Sequence, residues 1–151
     1  MTRIYRHRFT VPPESIDMLK HVNNIEYLRW MQDVAIAHST DLGWPMERYF
    51  KERCSWVIRS HFIEYLRSAV LHDPITLLTW VAGVGERSST RKYLFWRESD
   101  RQVLARAETA WVFIDLKSGL PMPILDSVRA SFPVVEEDDE AAELDALLGS
   151  S

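Results

Sequence analysis

Cysteine is nearly missing from this chain: Cys54 stands alone, so no internal disulfide can close and no Cys-based metal site has a second thiolate. It reads as a structural thiol. Long apolar runs are missing too. No stretch approaches the roughly 18 residues that a membrane helix needs, and the opening MTRIYRHRFTVPPE lacks the apolar block of a signal peptide. A cytoplasmic protein, with no membrane partner, is expected. His7, His38, His61 and His72 share no ligand spacing, so no metal is predicted, and nothing points to a cofactor. No glycine-rich phosphate loop is present. A surplus of one charge is also lacking over most of the chain. Residues 136–151 hold seven of the 22 acids and no base, leaving 18 basic against 15 acidic side chains elsewhere, a net +3. That excess is too mild and too scattered for nucleic-acid binding, although it suits a small polyanionic ligand.

What is present is enough for one packed domain: 151 residues with 46% hydrophobic content. Its centre is the stretch 17–41, DMLKHVNNIEYLRWMQDVAIAHSTD. Asn23 followed by Glu26 reads as a capping box, placing a helix start at Asn23 or Asn24. Tyr27, Met31, Val34, Ala35 and His38 then share one face at helical spacing, and that face is predicted to be buried. Gly43 stops the helix. Asp17, His21 and Asn23 would sit just before its positive end, where backbone N–H groups lack intrahelical partners.

Ahead of this stretch, residues 3–10 alternate as a strand ended by Pro12 and Pro13. Behind it, residues 44–53 suggest a short helix whose Trp44, Tyr49 and Phe50 form a lid. Four strands then follow: 56–66, 75–84, 89–98 and 103–116, separated by an Asp-Pro turn, a glycine pair and the turn at residues 99–102. On the last of them Ala105 and Ala107 leave room on one face for a packed helix. Strand, helix, four strands is an α+β order, without the alternation of a parallel sheet. One helix cannot cover so much sheet, and six tryptophans need burial, so a second copy is expected alongside. Residues 1–135 form the domain. Residues 136–151 read as an acidic tail, solvated and mobile, with a weak helical pattern in Ala141, Leu144, Leu147 and Leu148.

The order of elements, together with Asp17-Met18-Leu19-Lys20-His21-Val22-Asn23-Asn24-x-x-Tyr27, resembles the hotdog-fold thioesterases of the 4-hydroxybenzoyl-CoA and acyl-ACP thioesterase type. Arg87-Ser88-Ser89, Ala105-Arg106-Ala107, residues 111–115 and Gly119-Leu120-Pro121 resemble the later strands of that family. The resemblance implies a sheet wrapped around the helix, a homodimer or a tetramer of dimers, and a pantetheine tunnel at a subunit interface. It implies that Asp17 attacks a thioester carbonyl or activates water, and that the Asn24 N–H polarises the carbonyl oxygen. Developing oxyanion charge suits a helix N-terminus, whose dipoles are already oriented. There is one departure. Plant acyl-ACP thioesterases carry an Asn two residues after the Asp, and here that position is Leu19; their further catalytic Glu has no counterpart near residues 54–56. The simpler bacterial acyl-CoA enzymes are the better template.

The candidate catalytic residues are therefore Asp17, His21 and Asn24. His21 either assists by orienting Asp17 or moving a proton, or is structural. Asn23 and Tyr27 are candidates for substrate contact, with Tyr27, Trp30, Met31 and Val34 serving either the core, a dimer contact or an acyl pocket. Asp33 reads as a solvated helix residue. On the third long strand Arg87, Ser89 and Arg91, with Lys92, either hold the phosphates of coenzyme A or are solvated. The expected activity is hydrolysis of an acyl-CoA, or of an acyl carrier protein thioester, to free acid and thiol. A non-catalytic acyl-CoA sensor and a hotdog dehydratase or hydratase are the rivals. Leu19 favours the first, and the Asp-x3-His spacing argues against the second.

Overall fold

The junction at Asn23 decides where loop becomes helix. In the computed structural model, which describes residues 3–149, Asn23 lies in extended backbone and its side-chain oxygen accepts the Ile25 N–H at 3.0 Å. Helix α1 (Asn24–Asp41) starts there, as the sequence predicts, and runs to Leu42 and the left-handed Gly43. The expected capping box does not close: the Asn23 side chain takes the Ile25 N–H and not that of Glu26. The Glu26 carboxylate faces Arg29 at 3.7 Å, and the Asn23 N–H is already taken by the Ser15 carbonyl at 2.8 Å. The cap thereby ties the helix to the loop before it.

Around α1 lies a sheet of β1 (Tyr5–Thr10), β2 (Cys54–Tyr65), β3 (Pro74–Val84), β4 (Ser88–Arg97) and β5 (Gln102–Asp115). Every pairing is antiparallel, in the order β1-β3-β4-β5-β2, which leaves β1 and β2 as edges. The helix turns Tyr27, Met31, Val34, Ala35 and His38 inward, the face read from its spacing. Tyr27, Met31 and Val34 pack on Leu77, Tyr93, Phe95, Ala105 and Ala107, so the two alanines of β5 make the room expected of them. Tyr27 meets Phe95 edge-on, ring centroids 5.0 Å apart.

Two expectations give way here. Residues 137–148, expected as a solvated tail, form α4 (Glu137–Leu148) on the other face of the sheet. Leu144, Leu147 and Leu148 pack against Leu78, Trp80, Leu94 and Val135. Lys92 pairs with Glu140 at 3.0 Å, Trp80 Nε1 donates to Glu140 at 3.1 Å, and Arg3 pairs with Glu143. The acids flank basic and indole groups of the fold, which a count of charges along the chain does not show. With both faces covered, β3 is buried from Ile75 to Val81.

The expected lid is also core. Trp44 and Tyr49, on and before α2 (Met46–Lys51), are buried with Cys54, Phe113 and Val128 of α3 (Asp126–Ser131), and of the expected lid residues only Phe50 faces solvent. Burial pushes the Cys54 thiol up to about 11, consistent with a structural thiol.

The packing of α4 is testable. Leu144→Ala combined with Leu147→Ala is expected to lower unfolding free energy by about 1–3 kcal/mol, read by urea denaturation. An unchanged midpoint would return these residues to solvent.

Candidate active site

Asp17 is held by its own loop. Its N–H donates to the His21 carbonyl at 2.9 Å, its carbonyl accepts the Lys20 N–H at 3.0 Å, and Ile16 bridges Val22 across the turn. Lys20 takes the left-handed backbone that closes so tight a loop. The carboxylate is then fixed on one side: Oδ1 accepts the N–H groups of Leu19 at 2.9 Å and His21 at 3.4 Å. Oδ2 accepts no hydrogen bond from any described residue. Leu19 itself projects outward, 76% exposed. At position 19 only the backbone N–H reaches the carboxylate.

The N-terminus of α1 meets this loop. Ile25 donates to the Asn23 side chain and Glu26 to the Asn23 carbonyl at 2.9 Å, whereas the Asn24 N–H donates to no described residue. It is an open donor at the positive end of an 18-residue helix. Asp17, His21, Asn23, Asn24 and Tyr27 line one cavity of about 380 Å³ with Tyr65 and the backbone run from Leu66 to Ala69. Tyr65 donates to the Asn24 carbonyl at 3.3 Å and meets Tyr27 edge-on at 5.1 Å. Burial, with Tyr65 adding to it, pushes the Tyr27 phenol up to about 12 and keeps it neutral. The opposite wall is anchored by Arg97, which donates to the Ser68 carbonyl and to Asp73, each at 3.0 Å. Tyr65, Ser68 and Arg97 lie far from the Asp17 stretch in sequence, and no local pattern marks them.

His21 reaches Asp17 through its backbone; its exposed imidazole makes no hydrogen bond with a described residue. Asp33 lies on the exposed face of α1, as read. The basic cluster expected on β4 does not form. Consecutive strand residues point to opposite faces, so Lys92 goes to α4 and Arg91 goes inward. Arg87 is exposed and lines neither cavity. Ser89 and Arg91 line a second cavity of about 340 Å³ farther along α1, walled by Ala35, Trp44, Trp56 and Trp111. Ser89 Oγ is occupied by the Gly83 carbonyl at 3.0 Å.

Arg91 is 5% exposed and pairs with no carboxylate among the described residues. Its Nη1 donates to Thr79 Oγ1 at 3.1 Å and lies 3.0 Å from His38 Nδ1. Burial, and then the Arg91 charge, push His38 down to about 3, so His38 stays neutral and can accept that bond. Its other neighbours are the rings of Tyr5, stacked at 5.2 Å, and Phe132.

An antiparallel sheet wrapped on one long helix is the hotdog architecture of thioesterases. Residues 11–132 match the model of the thioesterase-like superfamily, and the chain belongs to that superfamily. Among solved structures, 1,4-dihydroxy-2-naphthoyl-CoA thioesterase from Synechocystis superposes with a TM-score of 0.79 at 14% identity, over 85% of this chain and 95% of that one. A Staphylococcus aureus protein solved with CoA gives 0.81 at 16%, over 87% and 82%. In sequence, the long-chain acyl-CoA thioesterase FadM of Escherichia coli is 27% identical over 76% of this chain and 86% of its own. A chloroplastic acyl-[acyl-carrier-protein] hydrolase of Cuphea viscosissima is 25% identical over 97% of this chain. The chain spans only 39% of that plant relative's length.

The neutral His38 carries a pH signature. The unfolded chain takes up its proton near 6.5 while the fold resists until about 3, so stability is full above 6.5 and falls as pH drops through that window. The slope from this group is at most about 1.4 kcal/mol per pH unit. His38→Gln, which retains an acceptor for Arg91, is expected to flatten the decline in urea midpoint between neutral pH and about pH 5. A parallel decline in both proteins would contradict it.

Proposed function

We propose that the protein is a cytoplasmic acyl-CoA thioesterase that hydrolyses its substrate to free acid and CoA, with Asp17 as the reacting carboxylate. The observation that carries this reading is the presence in one cavity of an Asp17 Oδ2 and an Asn24 N–H that bond to no described residue. One group supplies electrons to a carbonyl carbon, and the other receives the charge that develops on its oxygen. Membership of the thioesterase-like superfamily supports the reaction class.

In the general-base route, Oδ2 takes a proton from water, the resulting hydroxide oxygen bonds to the carbonyl carbon, and the oxyanion is held by the Asn24 N–H. Collapse breaks the C–S bond, and the departing thiolate takes the proton that Asp17 accepted from water, directly or relayed through the exposed His21 imidazole, which restores the carboxylate. In the nucleophilic route, Oδ2 itself bonds to the carbonyl carbon and expels the thiolate; water then cleaves the mixed anhydride. Both routes give one acid and one thiol. The Leu19 and His21 N–H groups hold Oδ1 so that Oδ2 faces the reacting atoms, while Asn23 orders the helix start and Tyr27 contacts the acyl thioester from the cavity wall.

CoA is favoured over an acyl carrier protein because Glu137, Asp138 and Asp145 on α4 remain exposed and repel an acidic carrier. Of the expected cluster of Arg87, Arg91 and Lys92, Arg87, exposed just before β4, is the cation left for the CoA phosphates. Homodimer assembly is supported by the long open edge β2, where Val57, Phe62 and Tyr65 are exposed.

Thiol release from short, medium, long and aromatic acyl-CoAs, with Asp17→Asn beside wild type, tests the assignment. Turnover reduced at least about a hundredfold in a folded variant is expected. Tight acyl-CoA binding without turnover in wild type would instead make the protein a sensor.

A further inference from the structure

The second cavity, farther along α1 from Asp17, has a wall with an unanswered charge. Gln32, Ala35, Ile36 and Ser39 bring α1 to it, and Gln32 stands about 12 Å along the helix axis from Asn24. Most of the lining is apolar: Trp44, Trp56, Val81, Trp111 and Val128 among others. Arg91 is the exception. It is almost wholly buried, both of its hydrogen bonds leave from Nη1, and both go to uncharged groups. Nε and Nη2 donate to no described residue. His38, held neutral beside it, supplies no negative charge. A guanidinium removed from water without an anion is unstable unless an anion reaches it, and its planar fork of donors matches a carboxylate in two parallel bonds.

We propose that this cavity binds an apolar carboxylate, with the carboxylate on Arg91 Nε and Nη2 and the hydrocarbon or aryl body among the tryptophans. At about 340 Å³ the cavity suits a medium-chain or single-ring acid. Two sources present this chemistry: a free organic acid, such as the product of thioester hydrolysis, and the far end of an acyl group that carries a second carboxylate. Binding of the free acid stands without the proposed reaction; the second source rests on it.

The intrinsic fluorescence of Trp44, Trp56 and Trp111 reads occupancy directly, with octanoate and octanol as probes. Octanoate is expected to bind at least about tenfold more tightly than octanol, because only octanoate makes charge-assisted bonds to Arg91. Arg91→Gln should abolish that preference. Ile36→Glu provides a variant outside the core: Ile36 is 46% exposed at the cavity, and a new carboxylate there should weaken octanoate binding while sparing octanol. Equal affinity for the two probes in wild type, or a preference that survives both substitutions, overturns the proposal. Thiol release from suberyl-CoA and octanoyl-CoA separates the sources. A lower KM for suberyl-CoA that Arg91→Gln removes assigns the site to the acyl group. Equal KM values with an octanoate preference in fluorescence assign it to the free acid. If neither thioester is cleaved, the hydrolase reading fails while the fluorescence result still decides the binding site.

Discussion

The first turn of α1 must satisfy its backbone donors, and the way it does so shapes the site. Asn23 takes the Ile25 N–H with its side chain and the Glu26 N–H with its carbonyl, and its own N–H is committed to Ser15. Nothing is left for Asn24. An N–H without a protein acceptor is tolerable at an open cavity and unfavourable in a core, so the helix start must face a space that water or a substrate oxygen can enter. The bond to Ser15 also pins the loop to the helix start, and Val22, bonded to the Ala69 carbonyl at 2.9 Å, pins it to the segment after β2. Asp17 is therefore presented by a rigid loop although it lies in no regular element.

The two sides of α1 differ in chemistry. Its N-terminus meets a polar cavity with a carboxylate and an open donor; its middle meets an apolar cavity with a buried cation. The core of Tyr27, Met31 and Val34 fills the space between the helix and the sheet. His38 sits on that same inward face and stays neutral, which lets it accept from Arg91. Charge is thus sorted along one helix by what packs on each face.

Much of this was legible in the sequence where the signal is local. Helix periodicity, the Asn23 cap, the alanine pair on β5 and the Asp17 loop are each written within a few residues, and the structure follows them closely. What was not legible depends on pairings across long separations. The acids of residues 137–148 look like a solvated tail until Arg3, Trp80 and Lys92 are placed beside them. Arg91 looks like a surface cation because its strand neighbours are polar; only the stacking of α1 on β4 turns it into the interior. The wall of the Asp17 cavity opposite the helix comes from the end of β2 and the following turn, where no motif announces it.

The role proposed for the Asn24 N–H is to receive the carbonyl oxygen of a thioester. Proton–nitrogen NMR of Asp17→Asn, titrated with an acyl-CoA that wild type hydrolyses, measures this most directly. The Asn24 amide proton should move downfield on binding as it gains an acceptor, while the Ile25 amide, already bonded to Asn23, changes little. Saturating binding that leaves the Asn24 amide where it was would contradict that role.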